Sequence, residues 1–431
     1  MTTTLEAPSA RGSSGAFVSL SIMMFLEFFI WGGWYVTVGN YMAAHGMADA
    51  IFWAYTVGPI AAIVSPFFLG MIADRFFASE RVLGVMMLIA GAAMLVAPSV
   101  GNPESMWLFI AVLLVHMLAY MPTLGLTNTI AFHALTNSEK QFPLIRVFGT
   151  LGWIVANIVV SKMLHADETA LQFYVTGGAC IALAVMSFML PHTPPPAKGQ
   201  PVSARAILGL DALQLMRSPS FAIFILSSFL ICIPLAAYYA YAPVFVKAAG
   251  FEAPAATMSL GQVSEVFFML VMPLFFARLG VKYMLLVGML AWVARYALFA
   301  IGAPDGIRSM IIAGIVLHGI CYDFFFVTGF IYTDKKAGPA IRAQAQGFLV
   351  LVTQGLGMLI GAQVSGVLFN RIVIGEGQVL MKNWQQFWFI PAAAAAIVAV
   401  IFFLLFRDRA DEPAVKQEGF DVGATSATPS T

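Results

Sequence analysis

Apolar segments long enough to cross a membrane recur along the whole 431-residue chain. A helix needs about 20 apolar residues to cross the hydrocarbon core, and such segments must be helical because lipid cannot satisfy free backbone polar groups. Only 10% of the residues are Asp, Glu, Lys or Arg, against about 25% in a soluble domain, so the outer solvent must be lipid. The sequence therefore predicts an all-α membrane protein with twelve transmembrane helices. The predicted spans cover residues 17–41, 51–73, 82–99, 105–132, 143–164, 169–190, 219–246, 256–277, 281–302, 306–332, 340–370 and 384–406.

The longest polar connection divides the chain into two sets of six spans. It covers residues 191–218, begins Pro-rich and follows the sixth span. Paired halves are typical of transporters that rock around a site at the bilayer midplane. The two predicted six-helix bundles are the N-terminal bundle 17–190 and the C-terminal bundle 219–406, joined by a cytoplasmic linker, 191–218. Disordered cytoplasmic tails are predicted at both ends, 1–16 and 407–431.

The distribution of lysine and arginine predicts the orientation. With a cytoplasmic N-terminus, fifteen of these residues fall in inner segments and five in outer loops. Inner loops of membrane proteins carry the excess of Lys and Arg, so both termini are predicted to be cytoplasmic. The five outer residues are Lys162, Lys247, Arg308, Arg371 and Lys382.

Five charged residues within the predicted spans are candidates for a role inside the membrane: Glu27, Arg146, Glu265, Arg295 and Asp323. A charge inside the bilayer costs free energy, so each is a functional hypothesis. If each arginine pairs with one acid, one carboxylate remains unpaired, and burial disfavours its charged form. Such a group can bind and release a proton, which makes Asp323, Glu265 and Glu27 the proton-coupling candidates. Arg295, toward the outer end of the ninth span, is predicted to be structural.

The second half offers a polar pair and an aromatic pair for binding a solute. Gln262 lies three residues before Glu265, hence on the same helix face, and an amide beside a carboxylate suits the hydroxyl and amide groups of a sugar or base. The alternative is a packing network between helices. Tyr322 and Phe326 share a face at i,i+4 and can stack on a nucleobase, with His318 nearby. The alternative for Phe326 is packing against lipid.

The first half offers one further polar face on each of two spans. Arg146, Thr150 and Trp153 share one face of the fifth span, where the alternative is an arginine that reaches toward interfacial water. Thr123 and Thr127 share a face of the fourth span. They are predicted to line a cavity, and hydrogen bonding between helices is the alternative.

Six segments in matching order carry a resemblance over nearly the whole chain. They are AYMPTLGLTNTIAF (119–132), FPLIRVFGTLGWI (142–154), LGLDAL (208–213), GQVSEVFFML (261–270), HGICYDFFFVTG (318–329) and AQAQGFLVL (343–351). Together they resemble the nucleoside:proton symporter family of the major facilitator superfamily. The resemblance implies the major facilitator fold and import of nucleosides with protons across a bacterial inner membrane. It also implies that the position of Glu265 contacts nucleoside, and it favours a site role for Arg146.

The loop after the second span resembles the conformational loop motif of the superfamily. The matching residues are Gly70, Asp74, Arg75 and Arg81, and Phe77 replaces the usual glycine.

Two positions depart from well-known members of the family. Tyr239 lies in CIPLAAYYAYAP (232–243), where those members carry amides near the substrate, and His318 stands where a tyrosine is common. The chain therefore resembles a less characterised branch of the family. The departures leave open a proton-coupled transporter of another sugar-like or drug-like solute.

Several classes of function lack their motifs in this sequence. There is no GxxxxGK[ST] loop for ATP, no HExxH and no Cys/His cluster for a metal, and the net charge of +1 does not indicate nucleic acid. The chain is predicted not to be an enzyme, to use no cofactor and to be driven by the proton gradient. Its predicted partners are a small-molecule substrate, protons and the lipid bilayer, and it is predicted to be a monomer. A non-transporting membrane sensor is the alternative from a different class.

Overall fold

The computed structural model describes residues 10–68, 74–135, 137–195 and 210–407, and within them every regular element is a helix. The main helices are α1 Ala10–Tyr35, α2 Ile51–Phe68, α3 Ser79–Val96, α4 Met106–Ala134, α5 Ser138–Asn157, α6 Leu171–Ser187, α7 Pro219–Ala248, α8 Leu260–Gly302, α9 Arg308–Val316, α10 Thr328–Val350, α11 Met358–Ile372 and α12 Gly377–Leu405.

Ten helices of the described chain are long and apolar enough to cross a membrane. The eighth and ninth predicted spans lie in the single helix α8, which bends at Gly280, where φ is 65°. The tenth and eleventh are separated in the same way by Gly338 within α10, where φ is 66°. Glycine tolerates this left-handed conformation because it has no Cβ. Each predicted span overlaps a helical segment, and the all-α membrane fold is confirmed.

Three π-helical segments interrupt the regular α-helices. They are Ile158–Met163 after α5, Tyr322–Val327 before α10, and Leu351–Gly357 between α10 and α11. The short helix His318–Cys321 joins α9 to the second of them. Such wide turns are frequent at functional sites, and two of the three contribute to the cavity described below.

Close backbone approach holds the helices of each half together. In the first half α1 packs on α5 and α6, and in the second half α8 packs on α12. A Cβ added to Gly32 of α1 would lie 3.0 Å from the carbonyl oxygen of Trp153 on α5. Small residues allow this spacing in membrane helices.

The predicted tails and linker lie partly outside the described residues. The structure describes neither residues 1–9 nor 408–431, and it leaves out 196–209 of the linker. The described end of the linker forms the helix Leu210–Arg217.

Polar contacts join the two halves at one end of the bundle, called the closed end below and formed by residues 36–50, 164–170 and 247–255 together with Asn370. Asn370 Nδ2 donates to the Asp49 carbonyl at 2.8 Å, and the Ala255 N–H donates to Asp167 Oδ1 at 3.2 Å. Lys247 Nζ lies 3.3 Å from Glu168 Oε2. These contacts join the first half to the second and close the central space at this end.

Candidate functional site

A cavity of about 260 Å³ lies between the two halves of the bundle. Helices α1, α2, α4 and α5 supply one wall, and α7, α8 and the two later π-helical segments supply most of the other. The lining residues are Phe28, Trp31, Tyr35, Gly58, Pro59, Ala62, Met117, Met121, Arg146, Thr150, Trp153, Tyr239, Gln262, Glu265, His318, Tyr322, Phe326, Phe330, Gln354 and Met358.

The structure brings most of the predicted substrate-binding residues together in this cavity. Those that line it are Arg146, Thr150, Trp153, Gln262, Glu265, His318, Tyr322, Phe326 and Tyr239. Thr123 and Thr127 are not among the lining residues. They are buried inside the first half, where the Thr127 hydroxyl donates to the Thr123 carbonyl at 3.0 Å. The alternative, hydrogen bonding between helices, describes Thr123, whose hydroxyl lies 2.7 Å from Glu27 Oε1 on α1, while Thr127 bonds within its own helix.

Charges of opposite sign face the cavity from its two walls. Arg146 on α5 places its guanidinium 4.1 Å from the centre of the Phe28 ring. Glu265 on α8 places Oε2 3.6 Å from His318 Nε2, and it interacts electrostatically with Arg146. Gln262 lines the same wall, and its Oε1 has no hydrogen-bond partner among the described residues. The cavity can therefore bind a solute with both donor and acceptor groups.

Aromatic rings surround these polar groups. The Trp31 and Trp153 rings meet edge to face at 5.7 Å, and the Tyr322 and Phe326 rings lie 5.3 Å apart. Tyr239 reaches the cavity from α7, with its ring 6.1 Å from that of Tyr35. Flat rings on both walls suit a planar heterocycle.

Some cavity residues were not singled out by the sequence analysis. Trp31 and Tyr35 lie on one face of α1 at i,i+4, and the segment FFIWGGWY carries that signal. Gln354 lies in a π-helical segment, and regular helical spacing gives no signal for its direction.

Asp323 lies behind the cavity wall. It is fully buried in the π-helical segment Tyr322–Val327, and neither carboxylate oxygen has a hydrogen-bond partner among the described residues. It is close enough to Glu265 for the two to interact electrostatically.

Neither intramembrane arginine forms an ion pair with an acid among the described residues, so the condition that each arginine pairs with one acid is not met there. Arg146 lies over the Phe28 ring. Arg295 is fully buried, donates from Nε to the Gly314 carbonyl at 3.1 Å and lies 4.0 Å from the centre of the Tyr238 ring. Aromatic faces attract a cation electrostatically, and they take the place of carboxylates here.

Glu27, the third proton-coupling candidate, lies inside the first half and not on the cavity wall. It is fully buried, and Oε1 lies 2.7 Å from the Thr123 hydroxyl.

The loop motif is only partly described. Gly70 lies outside the described residues. Asp74 and Arg75 belong to the short helix Asp74–Phe76, and Arg81 is exposed near the start of α3. The described residues contain no group of three or more His, Cys, Asp or Glu that could hold a metal ion.

Two helical halves around a central cavity with opposed charges define a secondary transporter of the major facilitator fold. Residues 15–411 match the model of the nucleoside H+ symporter family. The chain belongs to that family, as the resemblance implied, and the family consists of transporters and not enzymes.

Relatives of the chain match along nearly their whole length. YegT of Escherichia coli (strain K12) is 39% identical over 418 residues, 94% of this chain and 97% of YegT. Xanthosine permease of the same organism is 33% identical over 414 residues, 92% of this chain and 97% of the permease. A crystal structure of a mutant of the nucleoside transporter NupG superposes with a TM-score of 0.84 and 30% identity, covering 91% of this chain and all of that one.

Proposed function

We propose that the protein imports nucleosides together with protons across a bacterial inner membrane by alternating access. The observation that carries the proposal is the central cavity, where Arg146 and Glu265 face each other from opposite halves among aromatic rings. Membership of the nucleoside H+ symporter family supports the solute class and the driving ion.

The nucleobase and the ribose would use different parts of the cavity. Tyr322, Phe326 and Trp153 offer ring faces for the base. Glu265 and Gln262 offer acceptors to the ribose hydroxyls, since Gln262 Oε1 lacks a partner among the described residues. Arg146 and Thr150 would donate to a carbonyl or a hydroxyl from the other half. Because the solute would contact both halves, its binding would be coupled to the movement of one half relative to the other.

Proton coupling is assigned first to Glu265 and Asp323. Glu265 lines the cavity, so its carboxyl can exchange a proton with water at one stage of the cycle and contact the solute at another. Asp323 lies one residue from Tyr322 and interacts with Glu265. The protonation of either carboxyl therefore changes the charge that the solute meets.

We place both termini in the cytoplasm on the bias of Lys and Arg, with the closed end toward the outside. The division into bundles 17–190 and 219–406, with cytoplasmic tails and linker, is part of the same proposal. We also propose that the protein works as a monomer, because one chain supplies both walls of the cavity.

A second candidate is proton-coupled import of another sugar-like solute. Tyr239 and His318 both line the cavity. The Tyr239 phenol stands where well-known members carry an amide, and a single hydroxyl does not reproduce an amide's oxygen acceptor and two N–H donors. The His318 imidazole stands where a tyrosine is common. This chemistry changes which base edges the wall can recognise.

The test is uptake of labelled uridine, adenosine and xylosides by proteoliposomes with an imposed inward proton gradient. Accumulation of a nucleoside above its outside concentration is the expected result. Nucleoside uptake that is equal with and without the gradient would exclude proton coupling. Uptake of xyloside alone would favour the second candidate, and binding without movement of any solute would favour a sensor.

A further inference from the structure

The Thr123 hydroxyl, inside the first half, lies within hydrogen-bond distance of two oxygen atoms. Thr123 Oγ1 lies 2.7 Å from Glu27 Oε1 and 2.5 Å from the Tyr120 carbonyl oxygen. A hydroxyl has one proton and donates one hydrogen bond, while its lone pairs can accept others. A carbonyl oxygen never donates. Both contacts are satisfied if Thr123 donates to Tyr120 and accepts from Glu27, which requires that the Glu27 carboxyl carries a proton.

Within the part of the chain that the structure describes, no cation contacts the Glu27 carboxyl. Glu27 is fully buried, and its Oε2 has no hydrogen-bond partner among the described residues. The guanidinium of Arg146, on the neighbouring helix α5, lies over the Phe28 ring, and no ion pair of Glu27 is found among the described residues. An isolated ionised carboxylate in such a place is strongly unfavourable.

The other titratable groups that face Glu27 are occupied or neutral. Tyr120 on α4 donates its hydroxyl to the Glu27 backbone carbonyl at 2.7 Å, so its proton is not available to the carboxyl. His116, one turn away on α4, places Nδ1 3.0 Å from the Ala90 carbonyl. Cys180 on α6 is a buried free thiol. None of them supplies a positive charge to the carboxyl.

Two aromatic side chains near Glu27, Trp31 and Tyr120, contact each other, and Trp31 also lines the cavity. Trp31 follows one turn later on α1 and lines the cavity, and its ring lies 5.8 Å from that of Tyr120. The indole N–H of Trp31 has no partner among the described residues. A shift of α1 along α4 that parts these two rings would connect the carboxyl to cavity water.

We propose that Glu27 carries a second proton through the transport cycle, beside the proton exchanged in the other half. The inference rests on the proposed function. The O–H bond of Glu27 forms with a proton from hydronium on the acidic side, and it breaks on the other side when that proton passes to water. Two protons would then enter with each nucleoside.

The first test measures the coupling ratio as the reversal potential of uridine flux in proteoliposomes. Glu27→Gln keeps the size of the side chain, and its amide can donate to Thr123 Oγ1, but it cannot exchange a proton. We expect this variant to move one proton fewer per uridine than the parent. The control Glu104→Gln removes an exposed acid near the closed end and should keep the parental ratio. An unchanged ratio in Glu27→Gln would overturn the proposal.

The second test does not depend on transport, and so it separates this proposal from the proposed function. The infrared spectrum of the purified protein at neutral pH should contain a protonated-carboxyl band that is lost in Glu27→Gln. Thr123→Val removes the hydrogen-bond partner and should move that band to higher wavenumber, which provides a test even if Glu27→Gln does not fold. If no band is lost and none moves, Glu27 is ionised and the proposal is wrong.

Discussion

At the scale of single residues, the three buried acids differ in what surrounds them. Glu265 faces the cavity and His318, Asp323 lies behind the wall without a hydrogen-bond partner among the described residues, and Glu27 contacts Thr123 inside the first half. A buried polar group is costly unless it is paired or changes its charge. The position of each acid therefore decides whether the acid contacts the solute, exchanges a proton, or does both.

Replacing the two acids of the second half should separate binding from driving force. Glu265→Gln removes a charged acceptor, a contribution of about 1.5–3 kcal/mol, so uridine affinity should fall about tenfold or more. Asp323→Asn should leave the cavity lining intact and suppress gradient-driven accumulation. Uptake and equilibrium binding of labelled uridine measure the two effects, with Glu104→Gln as the control. If both variants accumulate uridine like the parent, the assignment of these carboxyls is wrong.

The ring of Tyr322 should matter more for binding than its hydroxyl. Base–aromatic stacking contributes about 1–3 kcal/mol per base, so Tyr322→Leu should weaken uridine binding about tenfold. Tyr322→Phe keeps the ring and should bind within about twofold of the parent, a difference of a few tenths of a kcal/mol. Calorimetry of the detergent-purified protein measures both. Equal losses in the two variants would show that the hydroxyl and not the ring binds uridine.

At the scale of helices, sequence periodicity predicted which residues share a face but not which neighbour they meet. The faces Arg146–Thr150–Trp153 and Gln262–Glu265 reach the cavity, since helical spacing fixes direction within one helix. Thr123 and Thr127 also share a face, yet that face packs inside the first half. The packing of one helix on another depends on three-dimensional shape, which spacing along one helix does not contain. For the same reason the sequence could not show that Arg295 meets the Tyr238 ring.

The buried acid Asp167 contributes more to the stability of the closed end than the exposed ion pair between Lys247 and Glu168. Asp167 is buried, with Ser161 donating to Oδ2 at 2.6 Å and the Ala255 N–H to Oδ1. The Lys247–Glu168 pair is about 40% exposed on both sides, and such pairs contribute about 0–1 kcal/mol. Spin-label distances across the closed end should lengthen clearly in Asp167→Ala and little in Lys247→Ala. The reverse order would contradict this account.

The same acid should make the closed end sensitive to pH. Burial raises the pKa of Asp167, although hydrogen bonds from Ser161 and Ala255 oppose the shift. If opening exposes Asp167, the closed state binds its proton more tightly than the open state. Lowering the pH from the raised pKa of Asp167 toward the ordinary pKa of a carboxyl should then increase the population of the closed state. Asp167→Asn should remove this dependence from the spin-label distances. A parent whose distances do not change with pH would contradict it.

At the scale of the whole molecule, the two halves enclose a central cavity that is closed at one end, and each half contains buried acids. Sequence patterns predicted the all-α membrane fold and nine of the residues that line the cavity, because apolar length and helical spacing are local properties. The closed end could not be predicted, because the contact of Ala255 with Asp167 joins segments far apart in the chain. Its geometry follows only from the packing of complete halves.

The most direct test of proton-coupled nucleoside import follows external pH when uridine is added to sealed proteoliposomes without an imposed gradient. Protons that enter with uridine should make the outside transiently alkaline, and a protonophore or Glu265→Gln should abolish the signal. Labelled uridine that enters the parent vesicles while the external pH stays constant would contradict the account.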